Sequence, residues 1–311
     1  MTVFALHENP DWFPPFYAAF DAAGLDYVEW HLITGAIDLD AVPPEGIFWN
    51  RLSASSHTRE HPWAKDYTRA LLEWLEAHGR RVVNGRSVVE MEVSKVRQLM
   101  ALKAFGIDVP RTVAVIGKYD LAARAAEMPV PFITKHNQGG KGLGVRRFDD
   151  LASFEGYVAS EEFEQPVDGI TLLQEYIEPR APFITRAETV GYDYVYSITA
   201  DTARGGFQLC PADACELDEQ GRPIAAESLF ALREGFHSPL IDQFLGFART
   251  YHLEIAGFEF IEAADGRILT YDVNTNTNYN PNVEAIAPKS GPAEIASYLQ
   301  RVEAEMFALT G

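Results

Sequence analysis

Thiols are nearly missing from this chain: of 311 residues, only Cys210 and Cys215 carry one. Their spacing is not C-x-x-C and no ligand-type partners flank them, which argues against a disulfide framework or a thiolate metal site. Basic residues are also few. Lys and Arg number 26 against 45 Asp and Glu, for a formal charge of -19. Binding a nucleic-acid backbone needs clustered positive charge, so the balance argues against nucleic acid as a partner, and the acidity reads as a solubility feature. No run of about 18 apolar residues is available to span a bilayer. Residues 1–10 lack the basic start and apolar stretch of a signal peptide. Together these absences predict a soluble, cytoplasmic protein with no membrane partner. Repeats and low-complexity tracts are missing too, apart from the alternation Asn274, Asn276, Asn278, Asn280, Asn282.

What is present is a large apolar fraction, 47%, in a chain long enough for two or three packed units. Strand-like runs at 2–6, 27–32, 46–49 and 82–84 alternate with helical periodicity at 12–23 and 63–78. This βαβ order predicts a small parallel-sheet domain over residues 1–86. Asn50-Arg51 follows a strand, the place where open α/β sheets hold ligands, so Arg51 is a candidate substrate residue. Residues 87–105 read as one helix, with a Ser87/Glu90 capping box and Gly106 as its stop; Lys95 falls in its second half. A strand at 131–135 ends in Lys135, followed by Gln138-Gly139-Gly140-Lys141-Gly142-Leu143-Gly144 and another strand. Glycines let the backbone approach phosphates, and Lys135 or Lys141 can neutralise them. No Lys-Ser/Thr pair opens a helix, so this is not a P-loop. An apolar strand at 171–177 runs into Glu178-Pro179, Arg186 lies on a further strand, and helices are expected at 238–252 and 292–309.

The most informative stretch is 253–281. Ile255–Glu262 and Ile268–Asn274 are rich in β-branched and aromatic residues, and Asp265-Gly266 signals a two-residue type I′ turn. That register pairs Glu259 with Asp272. The period of two then puts Phe258, Phe260, Leu269, Tyr271 and Val273 on a core face, and Gly257, Glu259, Ile261, Thr270, Asp272 and Asn274 on the other. Carboxylates paired this way sit roughly 5 Å apart and repel by about 3 kcal/mol at an effective dielectric of about 20. A cation between them reverses the sign, and Asn274 adds a neutral oxygen. Hard oxygen donors without His or Cys suit Mg²⁺ or Mn²⁺.

In order along the chain, SKVRQLMALKAFGIDVPRT, FITKHNQGGKGLGV, LLQEYIEP, ITRAETVG, TARGG, AGFEFIE and DVN resemble the ATP-grasp superfamily, most closely its RimK-type and glutathione-synthetase-like carboxylate–amine ligases. The resemblance spans roughly residues 87–285. It implies an α/β (α+β) fold in which two subdomains, 87–175 with the glycine-rich flap and 176–311 with the metal site, clasp ATP behind the 1–86 domain. It further implies that Lys95 and Lys135 reach the nucleotide phosphates and that Gly139, Gly140, Lys141, Gly142 and Gly144 form the flap. Gln174, Glu175 and Ile177 would line the adenine edge and Glu178 would lie near the ribose. Arg186 and Arg204 would face the transferred phosphate, while Glu259, Asp272 and Asn274 would bind Mg²⁺, two ions being expected. The implied reaction joins a carboxylate to an amine through an acyl phosphate, on small-molecule, amino-acid or peptide substrates; a homo-oligomer is compatible with it. Arg51, Asn276 and Asn278 are the substrate candidates. Two departures stand out: Asp272-x-Asn274 replaces the more common Glu-x-Asn, and Ile184 stands where an acidic residue often precedes the arginine. The first keeps open an ATP-grasp kinase acting on a hydroxyl, and a nucleotide-binding module without chemistry is the third reading.

Overall fold

The computed structural model describes residues 1–140, 142, 144–205 and 229–310. Lys141, both cysteines and the loop 210–218 lie outside the described residues.

The chain begins as the expected parallel-sheet domain. Strand β1 (Val3–His7) leads through α1 (Pro14–Ala23) to β2 (Tyr27–His31) and β3 (Ile47–Asn50), then through α2 (Ala64–Ala77) to β4 (Arg81–Val83), in the order β2-β1-β3-β4. Alternation divides its faces. Val3, Ala5, Ile47, Trp49 and Val83 pack with Phe13, Phe16 and Phe20 around α1, whereas Leu6, Phe48 and Val82 pack under Leu71, Leu72 and Leu75 of α2.

The single helix expected over 87–105 is two: α3 (Arg86–Glu92) and α4 (Lys95–Phe105). Gly85, not Ser87, is the first cap, and Glu90 is drawn into an ion pair with Arg69 at 2.6 Å. The break has a local cause. The Ser94 hydroxyl caps α4 by accepting from Arg97 N at 3.3 Å, while Val96 N and Lys95 N donate to the side chain and backbone of Asn137 at 2.8 and 3.1 Å. A polar side chain that can satisfy free helix-start N–H groups competes with helix continuation. Lys95 is therefore the first residue of a helix, not one in its second half.

A four-stranded antiparallel sheet follows, built from β5 (Thr112–Ile116), β6 (Phe132–His136), β7 (Arg146–Phe148) and β8 (Ile170–Glu175) in the order β5-β8-β6-β7. Helices α5 (Leu121–Ala125) and α6 (Leu151–Ala159) cover one face through Leu121, Phe132, Phe148 and Phe154. The remaining strands are β9 (Phe183–Val190), β10 (Asp193–Asp201), β11 (Phe230–Leu232), β12 (Ile255–Glu262) and β13 (Ile268–Asn274), ordered β11-β10-β9-β12-β13. Among them lie α7 (Thr202–Gly205) and α8 (Pro239–Tyr251), and after them α9 (Pro281–Glu284) and α10 (Gly291–Thr310). One face of this sheet buries Phe258 and Phe260 against Phe244 and Phe247 of α8 and Val88, Met91 and Leu102 of α3 and α4. The other packs Ile184, Val190, Tyr196 and Ile255 against Ile295 and Leu299 of α10, in a core continuous with Ala5, Phe16 and Trp49 of the first domain.

The β12–β13 hairpin has the expected ends, but its turn differs. Gly266 N donates to Ala263 O and Ala263 N to Arg267 O, with Gly266 at φ +91° and Asp265 not left-handed. This is a three-residue loop with glycine in the left-handed position, so the near-turn pairs sum to 530 (Ile261 with Leu269). A bulge between Glu259 and Phe260 on one side and Thr270 and Asp272 on the other takes up Tyr271 and restores Glu259 opposite Asp272. The bulge also exchanges faces. Thr270 is fully buried opposite Phe260, and Tyr271 turns into the cavity.

Candidate active site

The two antiparallel sheets enclose a cavity of about 670 Å³. Lys95, Lys135, Gly139, Gly140, Gly142, Gln174, Glu175, Ile177, Glu178, Arg186, Glu259, Asp272, Asn274, Asn276 and Asn278 all line it. These residues come from positions 95 to 278, so the fold brings one cluster out of scattered motifs.

Its acidic centre is the hairpin pair. Asp272 accepts from Lys95 Nζ at 2.6 and 2.7 Å, and Glu259 Oε1 accepts from Asn274 Nδ2 at 3.0 Å. Burial would raise the Asp272 carboxyl, but the charges of Lys95 and Lys135 outweigh it and hold the group below the usual range. Glu259 is raised, by burial and then by the charge of Asp272, against the pull of Arg186. The two carboxylates thus differ in environment while sharing one space. Burial and the nearby Lys95 charge lower Lys135 to about 8, and its ammonium rests 4.7 Å from the centroid of the Tyr271 ring. Tyr271, raised by burial and then by Glu259, hydrogen-bonds to Glu259.

Arg186 is buried on β9 beside β12. Its Nε donates to Glu188 Oε1 at 2.5 Å and its Nη1 lies 3.5 Å from Glu259 Oε1. Burial alone would lower its basicity, but Glu188 and Glu259 outweigh that and raise it. Gly257 on β12 is required for this placement, because a Cβ there would fall 2.6 Å from Arg186 Nε. Among the described residues, Arg186 Nη2 and Glu188 Oε2 are buried without a partner, so the arginine keeps one donor uncommitted.

At the other end the cavity is an apolar slot of Pro110, Ile133, Val145, Ile177 and Ile261. Gln174 bonds Thr112 Oγ1 at 2.9 Å, and Glu175 accepts from Arg111 N at 2.8 Å, which fixes the segment on one side. Gly142 and Gly144 adopt φ of +73° and +68°, a conformation that glycine reaches without strain.

Two expected residues sit differently. Arg204 turns to Asp201, its Nε donating at 2.7 Å, and is not among the cavity-lining residues, although its neighbours Thr202 and Ala203 are. Arg51 lies behind the asparagine loop. Its guanidinium stacks on Phe16 and Trp49, and its Nη2 donates to Thr277 O at 3.1 Å and Asn278 Oδ1 at 2.9 Å. Burial lowers it to about 10. It holds Asn278 at the cavity instead of lining it.

Sequence reasoning missed several participants. Glu92 accepts from Ala54 N, Thr275 N and Thr275 Oγ1 at 3.1, 2.8 and 2.8 Å, joining the first domain to the asparagine loop. Gln98 bonds both backbone groups of Val273, at 2.8 and 3.1 Å, which locks α4 to β13 and so Lys95 to Asp272. A polar residue on an otherwise apolar helix face was the available signal for both. Tyr271 had no such signal, since a bulge is invisible to strand periodicity.

The donors fit a hard divalent cation: two carboxylates and an amide face one buried space, with no sulfur or imidazole among them. A Glu259 carboxyl raised beside Asp272 is what an acidic pair shows when only protein charges balance it.

No family model matches the chain. A curated relative, "Probable alpha-L-glutamate ligase" of Xanthomonas euvesicatoria pv. vesicatoria (strain 85-10), is 24% identical over 243 residues, covering 76% of this chain and 73% of that protein. Among solved structures, D-cycloserine synthetase DcsG superposes with a TM-score of 0.67 at 17% identity, over 96% of this chain and 99% of that one. The RimK domain protein ATP-grasp from Sphaerobacter thermophilus DSM 20745 gives 0.64 at 17% identity, over 96% and 100%. ATP-grasp ligase PsnB, complexed with minimal precursor, Mg and ADP, gives 0.63 at 15% identity, over 96% and 96%. The chain has the ATP-grasp fold, and in sequence it is similar to the probable alpha-L-glutamate ligases.

Proposed function

We propose that this protein is an ATP-dependent carboxylate–amine ligase. The observation that carries the reading is the meeting, in one cavity, of two buried lysines and a glycine-rich flap with an all-oxygen acidic pair and an apolar slot. The slot takes the adenine between Ile133, Val145, Ile177 and Ile261, with Glu178 toward the ribose. Lys95, Lys135 and the backbone of Gly139, Gly140 and Gly142 take the phosphates. Glu259, Asp272 and Asn274 hold Mg²⁺, as one ion or two, and the cation supplies charge neutralisation at the phosphate oxygens. Mn²⁺ would satisfy the same donors.

A substrate carboxylate oxygen attacks the γ-phosphorus, the bond to the β-phosphate oxygen breaks, and ADP leaves. The amine then attacks the acyl carbon and expels phosphate, leaving an amide and releasing one proton. The protein positions the partners and stabilises charge. Arg186, with Nη2 uncommitted, faces the oxygens on which charge develops, and Arg204 is the second cation for that role once it leaves Asp201. The flap excludes water that would hydrolyse the acyl phosphate. Acceptors enter at the side bounded by Trp12, Ser53, Asn276 and Asn278. They are amino acids, peptides or other small molecules, and a cytoplasmic setting with ATP and Mg²⁺ at hand suits this chemistry.

Asp272-x-Asn274 favours a second reading, a kinase that leaves the phosphate on a hydroxyl. One experiment separates the two: an ADP-release screen of paired acids and amines, with hydroxylamine added. Free phosphate and a hydroxamate support the ligase. Phosphate retained on a product, with no hydroxamate, overturns it.

A further inference from the structure

Outside the cavity, one cluster of side chains among the described residues has a metal-binding composition and no assigned role. His7 ends β1, and Glu29 and His31 lie two residues apart on β2, so all three share the sheet face that carries α1. The parallel register places His31 directly beside His7. Both imidazoles converge through Nε2 on one oxygen: His7 lies 3.0 Å and His31 3.9 Å from Glu29 Oε2. The donor atoms of the three residues lie within 4.8 Å of one another.

We propose that His7, Glu29 and His31 form a site for a zinc-class divalent cation at the C-terminal end of the β1–β2 pair. Zinc with bonds of about 2.0–2.1 Å to nitrogen and oxygen in tetrahedral array sets ligand atoms roughly 3.3 Å apart. The two observed separations bracket that spacing, so small side-chain rotations complete the site. Glu29 is already oriented for it. Tyr17 OH donates to its other oxygen, Oε1, at 2.7 Å, which leaves Oε2 turned toward the imidazoles. An outer hydrogen bond of this kind aims a ligating carboxylate.

The His7 ring is fixed by stacking on Phe13, with centroids 5.1 Å apart and planes 15° from parallel. Arg51 repels a cation here. Glu8, which accepts from Arg59 Nη2 at 2.7 Å, also faces Arg51 and offsets part of its charge. His31 is 46% exposed, which gives an entry path and leaves the remaining coordination position to water. Two imidazoles and one carboxylate select zinc-class ions over Mg²⁺, the reverse of the oxygen-only set in the cavity. The site does not rest on the ligase reading.

The test is a zinc titration of the full chain against a chromophoric chelator, with excess Mg²⁺ present. Wild type is expected to bind one equivalent of Zn²⁺. His31→Ala and Glu29→Gln should each weaken it at least about 10-fold, and Tyr17→Phe by about 10-fold. Asp272→Asn should leave zinc affinity unchanged. His31 is half-exposed, so its variant keeps the fold, which circular dichroism verifies. The proposal is overturned if wild type takes up no stoichiometric zinc, or if His31→Ala binds like wild type. Loss of zinc in Asp272→Asn instead would place the ion in the cavity and also overturn it.

Discussion

Lys135 is the residue whose cost to the empty protein and value to the loaded one can be separated. Burial lowers it from an ordinary 10.5 to about 8. A lowered lysine means that the fold opposes its charge, here by roughly 3 kcal/mol at about 1.36 kcal/mol for each factor of ten. That opposition is complete below pH about 8. It is relieved between about 8 and 10.5, where the unfolded chain still holds a proton that the fold has released. Lys135→Met keeps the length and the contact with Tyr271 and removes the charge. The nucleotide-free variant should therefore be more stable than wild type at pH 7 by up to about 3 kcal/mol, a rise in Tm of about 5 °C for a chain of this size. The gap should shrink as pH rises from 8 to 10. Added ATP and Mg²⁺ should stabilise wild type more than the variant, because the stabilisation is mass action on a site that has lost one of its phosphate partners. Thermal denaturation with and without nucleotide, across that pH range, reads all of this. A variant less stable than wild type without nucleotide, or one protected by ATP as fully as wild type, would refute the reasoning.

Two further substitutions probe the same cavity. Gly257→Ala sets a methyl 2.6 Å from Arg186 Nε; it should displace the guanidinium from Glu188, cost about 1–3 kcal/mol in denaturant unfolding and depress turnover, and an unchanged unfolding midpoint would count against the packing argument. Asp272→Ala removes a proposed cation ligand and the partner of Lys95 together, so ADP release should fall to background, and wild-type-like ATP consumption would defeat the metal assignment.

Much of this was legible beforehand, and what escaped did so for physical reasons. The hairpin ends were visible because strand composition and a glycine turn mark them, and Glu259 does oppose Asp272. The route to that pairing was not: a three-residue turn shifts the register by one and the Tyr271 bulge shifts it back. Periodicity carries no trace of such compensating irregularities, and Tyr271 consequently moves from the expected core into the cavity. The break at Ser94 depends on Asn137, 43 residues away, a tertiary tie that no local capping rule contains. Lys95 was singled out by its motif alone, since a helix lysine is ordinarily solvated. Glu92 and Gln98 act by holding backbone, a role that composition does not reveal.

The continuous interior shared by the first domain and the five-stranded sheet determines which parts of the molecule can move. Prying those two apart would bring Phe16, Trp49, Tyr196 and Ile295 into water, at about 1.5–3 kcal/mol for each large side chain. The flap sheet has its own separate core around Phe132 and Phe154, so swinging it exposes far less. The cost of opening the cleft is therefore asymmetric: the first domain and the acidic hairpin are held as one anvil, and the glycine-bearing half is the part that lifts from it at less expense.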